Sequence, residues 1–178
     1  MVILIYVVEE IVPHIIEPSF GFGRVLYGLL EQSYYSRDEK RSVLKINPHM
    51  APIQCAVLPL FNNEQFVPIA EKLSRRLKTF GIHTHEDYSS TTIGKRYVRV
   101  DEVGAPFCIT IDHQTLEDNT ATLRERDSLE QVRIKLEELP EIMKKLTNGY
   151  AYMEDEEFKG YGWTWASVKE NYPLFVSE

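Results

Sequence analysis

Cysteine is scarce, with two in 178 residues, Cys55 and Cys108. Each sits inside an apolar run, the setting of a reduced thiol buried as a small hydrophobe rather than of a disulfide framework. No Cys/His group has the spacing of zinc ligands. His83 and His85 lie two apart on an expected short strand, but no third and fourth ligand accompanies them, so no metal is expected. Long apolar runs are missing too. The longest, Met1 to Val8, falls far below the roughly 18 residues that cross a bilayer, and it lacks a basic flank or small-residue cleavage site. Membrane insertion and secretion are therefore not expected. Positive charge is in the minority, 20 Lys and Arg against 27 Asp and Glu, a formal net charge of -7. That sign excludes a protein that coats nucleic acid indiscriminately, and it confines any phosphate-binding site to a local patch.

What is there suffices for a folded protein: 43% of the residues are hydrophobic, and the length accommodates one full domain plus part of another. Ile11 to Ile16 is apolar and interrupted by Pro13, which reads as a short strand or extended segment. After Gly21 and Gly23, the residues Phe22, Val25, Leu26, Leu29 and Leu30 recur at three and four, predicting a helix with one buried stripe. Ser36 to Lys40 is charged and reads as a loop. Asn47 to Pro52 holds two prolines without periodicity, and the domain boundary is placed there.

From Ile53 to Leu60 a nearly continuous apolar run predicts a strand covered on both faces. A helix carrying Phe66, Ile69, Ala70, Leu73, Leu77 and Phe80 follows and stops at Gly81. Pro68 would cost roughly 3 kcal/mol in its interior, so the regular helix should begin near Val67. Ile82 to Glu86 reads as a short strand. Ser89 or Ser90 could cap a helix with Ile93, Tyr97, Val100 and Val103 on one face, ended by Gly104 and Pro106. Phe107, Ile109 and Ile111 alternate as in a strand, Ala121 to Arg126 and Glu130 to Leu136 add two more, and Leu139, Ile142, Met143 and Leu146 form a last helix. The order β-α-β-α-β-β-β-α predicts an α/β fold with a mixed sheet flanked by helices, preceded by a strand-helix unit. Beyond Gly149 the chain is acidic and aromatic, with Asp155 to Gly160 expected to form a mobile loop.

Two places carry possible chemistry. In Glu17-Pro18-Ser19-Phe20-Gly21-Phe22-Gly23-Arg24, two glycines remove side chains where the backbone turns into a helix, and Arg24 at that helix's start can reach a polyphosphate. The plainer reading is a strand-to-helix turn with a surface salt bridge. The second is basic. Lys95, Arg96 and Arg99 leave the apolar face of their helix. Thr122, Arg124 and Arg126 share one strand face, and Gln131, Arg133 and Lys135 share another. With those faces matched, a cationic surface would take phosphates and read splayed bases. The alternative is a solvated face whose arginines pair with Glu125, Asp127 and Glu130.

The string EPSFGFGR at Glu17 to Arg24 resembles motif 3 of class II aminoacyl-tRNA synthetases, in the form found in glycyl-tRNA synthetases of the dimeric archaeal and eukaryotic type. APIQCAVLPL, SSTTIGKRYVRVDEVGAPFCITID, TATLRERDSLEQVR and TWASVKENYPLF resemble the C-terminal domain of the same family, so the resemblance covers nearly the whole chain. It implies that residues 1–50 are the end of a class II catalytic domain, 51–149 a class IIa anticodon-binding domain, and 150–178 a C-terminal extension. It implies ATP contacts for Arg24, Gly21 and Gly23, a glycine pocket lined by Glu17 and Ser19, and tRNA contacts for Lys95, Arg96, Arg99, Arg124, Arg126 and Arg133. The full-length enzyme would be a cytoplasmic homodimer, with a mitochondrial location also open, using ATP and Mg2+ to charge glycine tRNA. Motif 2 is absent, so this chain alone is expected to be inactive and to bind no cofactor. The competing reading is a stand-alone accessory protein that reuses the anticodon-binding fold to bind nucleic acid without catalysis.

Overall fold

The structure, a computed structural model, describes residues 10–148 and 163–175. Residues 10–20 carry no regular secondary structure and are exposed. Helix α1, Phe22–Ser33, follows where its periodicity places it, but the stripe is not buried: Phe22, Val25, Leu26 and Leu30 are all exposed. Leu29 alone of the stripe is half-buried. The charged segment read as a loop is instead a β-hairpin, β1 (Tyr34–Asp38) with β2 (Arg41–Leu44), antiparallel with a bulge between Ser36 and Asp38. Tyr34 and Tyr35 supply strand-compatible rings, and Asp38 turns the corner by accepting from the Lys40 backbone at 2.9 Å.

The larger sheet is built from β3 (Cys55–Pro59), β4 (Thr84–Glu86), β5 (Phe107–Ile111), β6 (Thr120–Glu125) and β7 (Gln131–Lys135). Their spatial order is β4-β3-β5-β6-β7; β3 runs parallel to β4 and β5, while β6 and β7 are antiparallel additions. The mixed sheet expected from the element order is therefore the one observed. Every residue of β3 and β5 is buried, as befits strands covered on both sides.

One sheet face, with Cys55, Val57, Ile109, Leu123 and Ile134, packs on α2 (Val67–Thr79), α5 (Leu139–Thr147) and α6 (Trp165–Asn171). The opposite face, with Ala56, Leu58 and Cys108, packs on α3 (Ile93–Glu102) through Val100, Ile93 and Tyr97. Because Cys55 and Cys108 point to opposite faces, they cannot bridge. Burial holds the Cys55 thiol well above its ordinary range and pushes Cys108 up to about 12, which makes both poor nucleophiles at neutral pH.

Helix α2 opens at Val67 with Pro68 in its first turn, where the missing N–H costs no helical bond. Gly81, at φ +82, follows it. A short helix that periodicity did not reveal, α4 (His113–Asp118), is closed by a capping box: Asp112 accepts from Thr115 N while the Thr115 hydroxyl accepts from Asp112 N. The hairpin leans on α3 where Gly104 (φ +84) makes room. A Cβ there would stand 3.0 Å from Ile46 Cδ1 and 3.2 Å from the Leu44 carbonyl oxygen. The segment expected to be mobile, Asp155 to Gly160, lies outside the described residues.

Candidate functional site

Six cations stood as candidates for a shared basic surface, and the structure separates them. The strand faces do match as expected, with Thr122 opposite Arg133 and Arg124 opposite Gln131. That face is not open, because α3 covers part of it and brings its own acid. Asp101 accepts from both terminal nitrogens of Arg124 at 2.9 Å and from Arg37 Nη1 at 3.0 Å, with Asp101 and Arg124 nearly inaccessible. The Arg124 guanidinium also lies 4.7 Å over the Tyr97 ring. Burial opposes the Arg124 charge, the Asp101 hydrogen bonds outweigh it, and the pKa stays above its ordinary value.

Arg96, expected to leave the apolar face of its helix, is 1% exposed. Its guanidinium donates to the carbonyls of Pro59 (2.6 Å), Asp87 (3.1 Å) and Leu60 (2.9 Å), tying the ends of β3 and β4 to α3. Burial lowers its pKa. Arg126 is buried as well, donating to the carbonyls of Leu44, Ile46 and Gly104 and to Asp127. Arg133 forms a two-point pair with Asp112, at 2.6 and 2.9 Å, under the Phe175 ring. These four arginines are internal joints, a correction to the surface role expected of them. A guanidinium with five donors suits such joints, since carbonyls left unpaired in the interior are costly.

Lys95 and Arg99 do face solvent, on the exposed side of α3. Arg99 is anchored by Ser89 Oγ at 2.8 Å, by Thr91 Oγ1, and by Asp87 at 3.5 Å. Burial works against the Asp87 charge, but hydrogen bonds from Ser89 and the nearby Arg99 and Arg96 hold the carboxyl below its usual range. Thr92 N-caps α3 without a side-chain bond, leaving amides of the first turn beside Thr91, Gly94 and Lys95.

The carboxyl ends of β3, β4 and β5 meet on this same rim, the edge of an open α/β sheet where ligands generally bind. Three residues there escaped the sequence reading. Phe61, just past β3, is exposed; His113, opening α4, sets its ring centroid 5.7 Å from that of Phe61; and Asn62 bonds the Tyr88 carbonyl. An aromatic directly after a buried strand, followed by two asparagines, was the available signal. On the other layer, α2 shows Lys72, Arg75 and Arg76 to solvent, and Lys72, Arg76 and Lys135 line a groove of 620 Å³.

Glu17, Ser19, Gly21, Gly23 and Arg24 are all exposed, on the run into α1 and its first turn. The Arg24 amide donates to Gly21 O at 3.0 Å. Added methyls at Gly21 and Gly23 would meet ordinary contact and open space, so no described neighbour demands glycine at either place.

Residues 54–146 match the anticodon binding domain family. The chain belongs to that family. The anticodon-binding domain has 22% identity and a TM-score of 0.54 to a prolyl-tRNA synthetase from Cryptosporidium parvum, covering 59% of this chain and 23% of that one, a likeness of fold. The RNA binding domain of a threonyl-tRNA synthetase from Cryptosporidium parvum Iowa II is 26% identical at a TM-score of 0.53, with 57% of this chain covered and 25% of that one. In sequence, a glycine–tRNA ligase of Drosophila melanogaster is 44% identical over 174 residues, 96% of this chain and 21% of its own length. One from Thermococcus sibiricus is 49% identical over 141 residues, 79% of this chain and 25% of its own. The resemblance to glycyl-tRNA synthetases thus holds along most of the sequence. The chain spans about a quarter of the length of the curated relatives it matches, and the anticodon-binding domain fills its centre.

Proposed function

We propose that this chain is the C-terminal portion of a glycine–tRNA ligase and that residues 51–149 grip the anticodon loop of glycine tRNA. The observation that carries the reading is the identity of 44% and 49% to glycine–tRNA ligases, sustained through the domain and beyond its ends. Lys95 and Arg99, with the hydroxyls and free amides at the start of α3, are the phosphate contacts in this reading. Arg96, Arg124, Arg126 and Arg133 hold the loops and helix that present them.

Residues 1–50 would complete a catalytic domain in the longer protein. Glu17 and Ser19 would face glycine, whose ammonium calls for a charged acceptor; Gly21, Gly23 and Arg24 would face ATP and its Mg2+. The exposed apolar stripe of α1 supports this, since it is a surface shaped to be covered. Residues 150–178 are assigned as a C-terminal extension. The whole enzyme is proposed to act as a cytoplasmic homodimer, and this chain alone to lack activity.

The test is a titration of this chain with glycine tRNA, and with versions changed at the two cytosines that glycine anticodons share, at two salt concentrations. Tighter binding of the unaltered tRNA is expected at both. Replacing Lys95 and Arg99 by alanine should weaken all RNAs alike and reduce the slope of log affinity against log salt by about 2. Equal binding of every RNA by the unaltered chain would overturn the assignment.

A further inference from the structure

Phe61 stands one residue beyond Leu60, just past the carboxyl end of β3, and is 53% exposed. A large aromatic in water is out of place in that loop, whose next four residues are Asn62, Asn63, Glu64 and Gln65. The loop itself is well made: Asn63 Oδ1 accepts from Gln65 N at 3.1 Å and from Phe66 N at 3.0 Å, leading into α2. Phe61 is also held in place. Its centroid lies 6.2 Å from that of Phe66 and 5.7 Å from that of His113, and Phe66 meets His113 edge-on at 5.1 Å. A fixed ring with an open side is what an unstacked nucleobase needs.

Asn62 supplies the second half. Its side-chain nitrogen donates to the Tyr88 carbonyl at 2.7 Å, and a carbonyl can only accept, so this bond fixes which end of the amide faces outward. The Asn62 Oδ1 atom has no partner among the described residues and presents a lone acceptor on the exposed rim. An acceptor there favours a base whose edge carries an amine over one carrying a carbonyl oxygen, hence cytosine over uracil. Arg96 anchors the Leu60 carbonyl, immediately before Phe61, to α3. Ring, acceptor and the cations Lys95 and Arg99 therefore ride on one rigid body.

We propose that Phe61 and Asn62 form the subsite that reads one of the two cytosines shared by glycine anticodons, Phe61 stacking on the base and Asn62 Oδ1 accepting from its exocyclic amine. This rests on the tRNA reading given above.

The experiment uses this chain and a synthetic anticodon stem-loop bearing a glycine anticodon, together with versions in which either cytosine is uracil, followed by fluorescence anisotropy at two salt concentrations. Phe61→Ala should weaken binding of the glycine hairpin about tenfold while leaving the salt slope unchanged, and Phe61→Trp should restore it. Asn62→Ala should erase a preference of about fivefold for cytosine at one of the two positions, leaving the other position's preference intact. Circular dichroism melts check the folding of each variant. Should Asn62→Ala melt early through loss of the Tyr88 contact, the Phe61 pair decides. If the unaltered chain prefers cytosines and both alanine variants do so equally well, the subsite is overturned while the tRNA reading stands. If the unaltered chain shows no preference for the glycine hairpin, both fall together.

Discussion

Replacing Asp101 by alanine removes the carboxylate that Arg124 and Arg37 share beneath α3. Arg37 keeps two other partners, the Arg126 carbonyl at 2.6 Å and the Tyr35 hydroxyl at 3.0 Å, so the loss falls mainly on Arg124. The Arg124 side chain is 7% exposed and both of its terminal nitrogens donate to Asp101, so its charge would be left stacked on Tyr97 without a carboxylate partner. Breaking a buried pair from one side costs about 3–5 kcal/mol. Against a typical total of about 5–15 kcal/mol, that is a large fraction of the stability. With a urea m-value of about 2 kcal/mol/M, the unfolding midpoint should fall by about 1.5–2.5 M at unchanged slope. The companion variant separates lost charge pairing from lost packing. Changing Asp101 to leucine and Arg124 to methionine together removes both charges, and it should recover most of the midpoint, because an apolar replacement of a buried pair is often neutral. A midpoint for Asp101→Ala within about 0.3 M of the parent chain, or a double variant as unstable as the single one, would refute the view that this pair is buried and mutually dependent.

Two further predictions concern stability. Gly104→Ala combines a left-handed backbone with a methyl pressed against the Leu44 carbonyl, whereas Gly81→Ala meets the same backbone strain with open space around it. Gly81→Ala should cost about 1 kcal/mol and Gly104→Ala clearly more, readable as two different falls in thermal midpoint; equal falls would count against the close approach of hairpin and helix. The second is a pH dependence. Burial works against the Glu86 charge, but hydrogen bonds from Ser74 and Lys78 outweigh it and hold the carboxyl below its usual range. A lowered folded-state pKa stabilises the fold above the unfolded value of about 4.3, and that contribution is lost as the pH falls through the lowered value. Glu86→Gln should accordingly flatten the fall in melting temperature below about pH 4.3 and leave its shape above neutrality unchanged. An acid limb identical to the parent's would show that Glu86 plays no part in it.

The parts of the fold written in one-dimensional pattern were readable. The nearly continuous apolar run at Ile53 to Leu60 became a strand buried on both faces, and the proline penalty at Pro68 placed the helix start at Val67. The β1–β2 hairpin was not readable, because a strand of Tyr, Tyr, Ser, Arg and Asp has no apolar alternation and is held by pairing and by Arg37 instead. Helix α4 is too short for periodicity to show, and its capping box pairs Asp with Thr rather than the usual acidic or amide partner. The arginines show the deeper limit. Alternation correctly grouped Thr122 and Arg124 with Arg133 and Gln131, yet it could not say what lay over them. Their covering acids, Asp101 and Asp112, sit 23 and 21 residues away in sequence, and contacts of that kind exist only after folding. The rim residues Phe61 and His113 are 52 positions apart by number and meet only because β3 and β5 are neighbours.

Arg126 closes the seam between the hairpin strand and the turn after α3 by gripping the main chain of Leu44, Ile46 and Gly104. Every amino acid carries a carbonyl, so the clasp makes no demand on side-chain identity at positions 44 and 46, while at position 126 it demands a guanidinium. All three carbonyls meet Arg126 Nη1 while Nε and Nη2 hold Asp127, and the single nitrogen of a lysine cannot serve both sets. The hydrogen bonding of the seam thus hangs on side-chain identity at position 126 alone, while Ile46, buried against Gly104, answers to packing and not to the clasp.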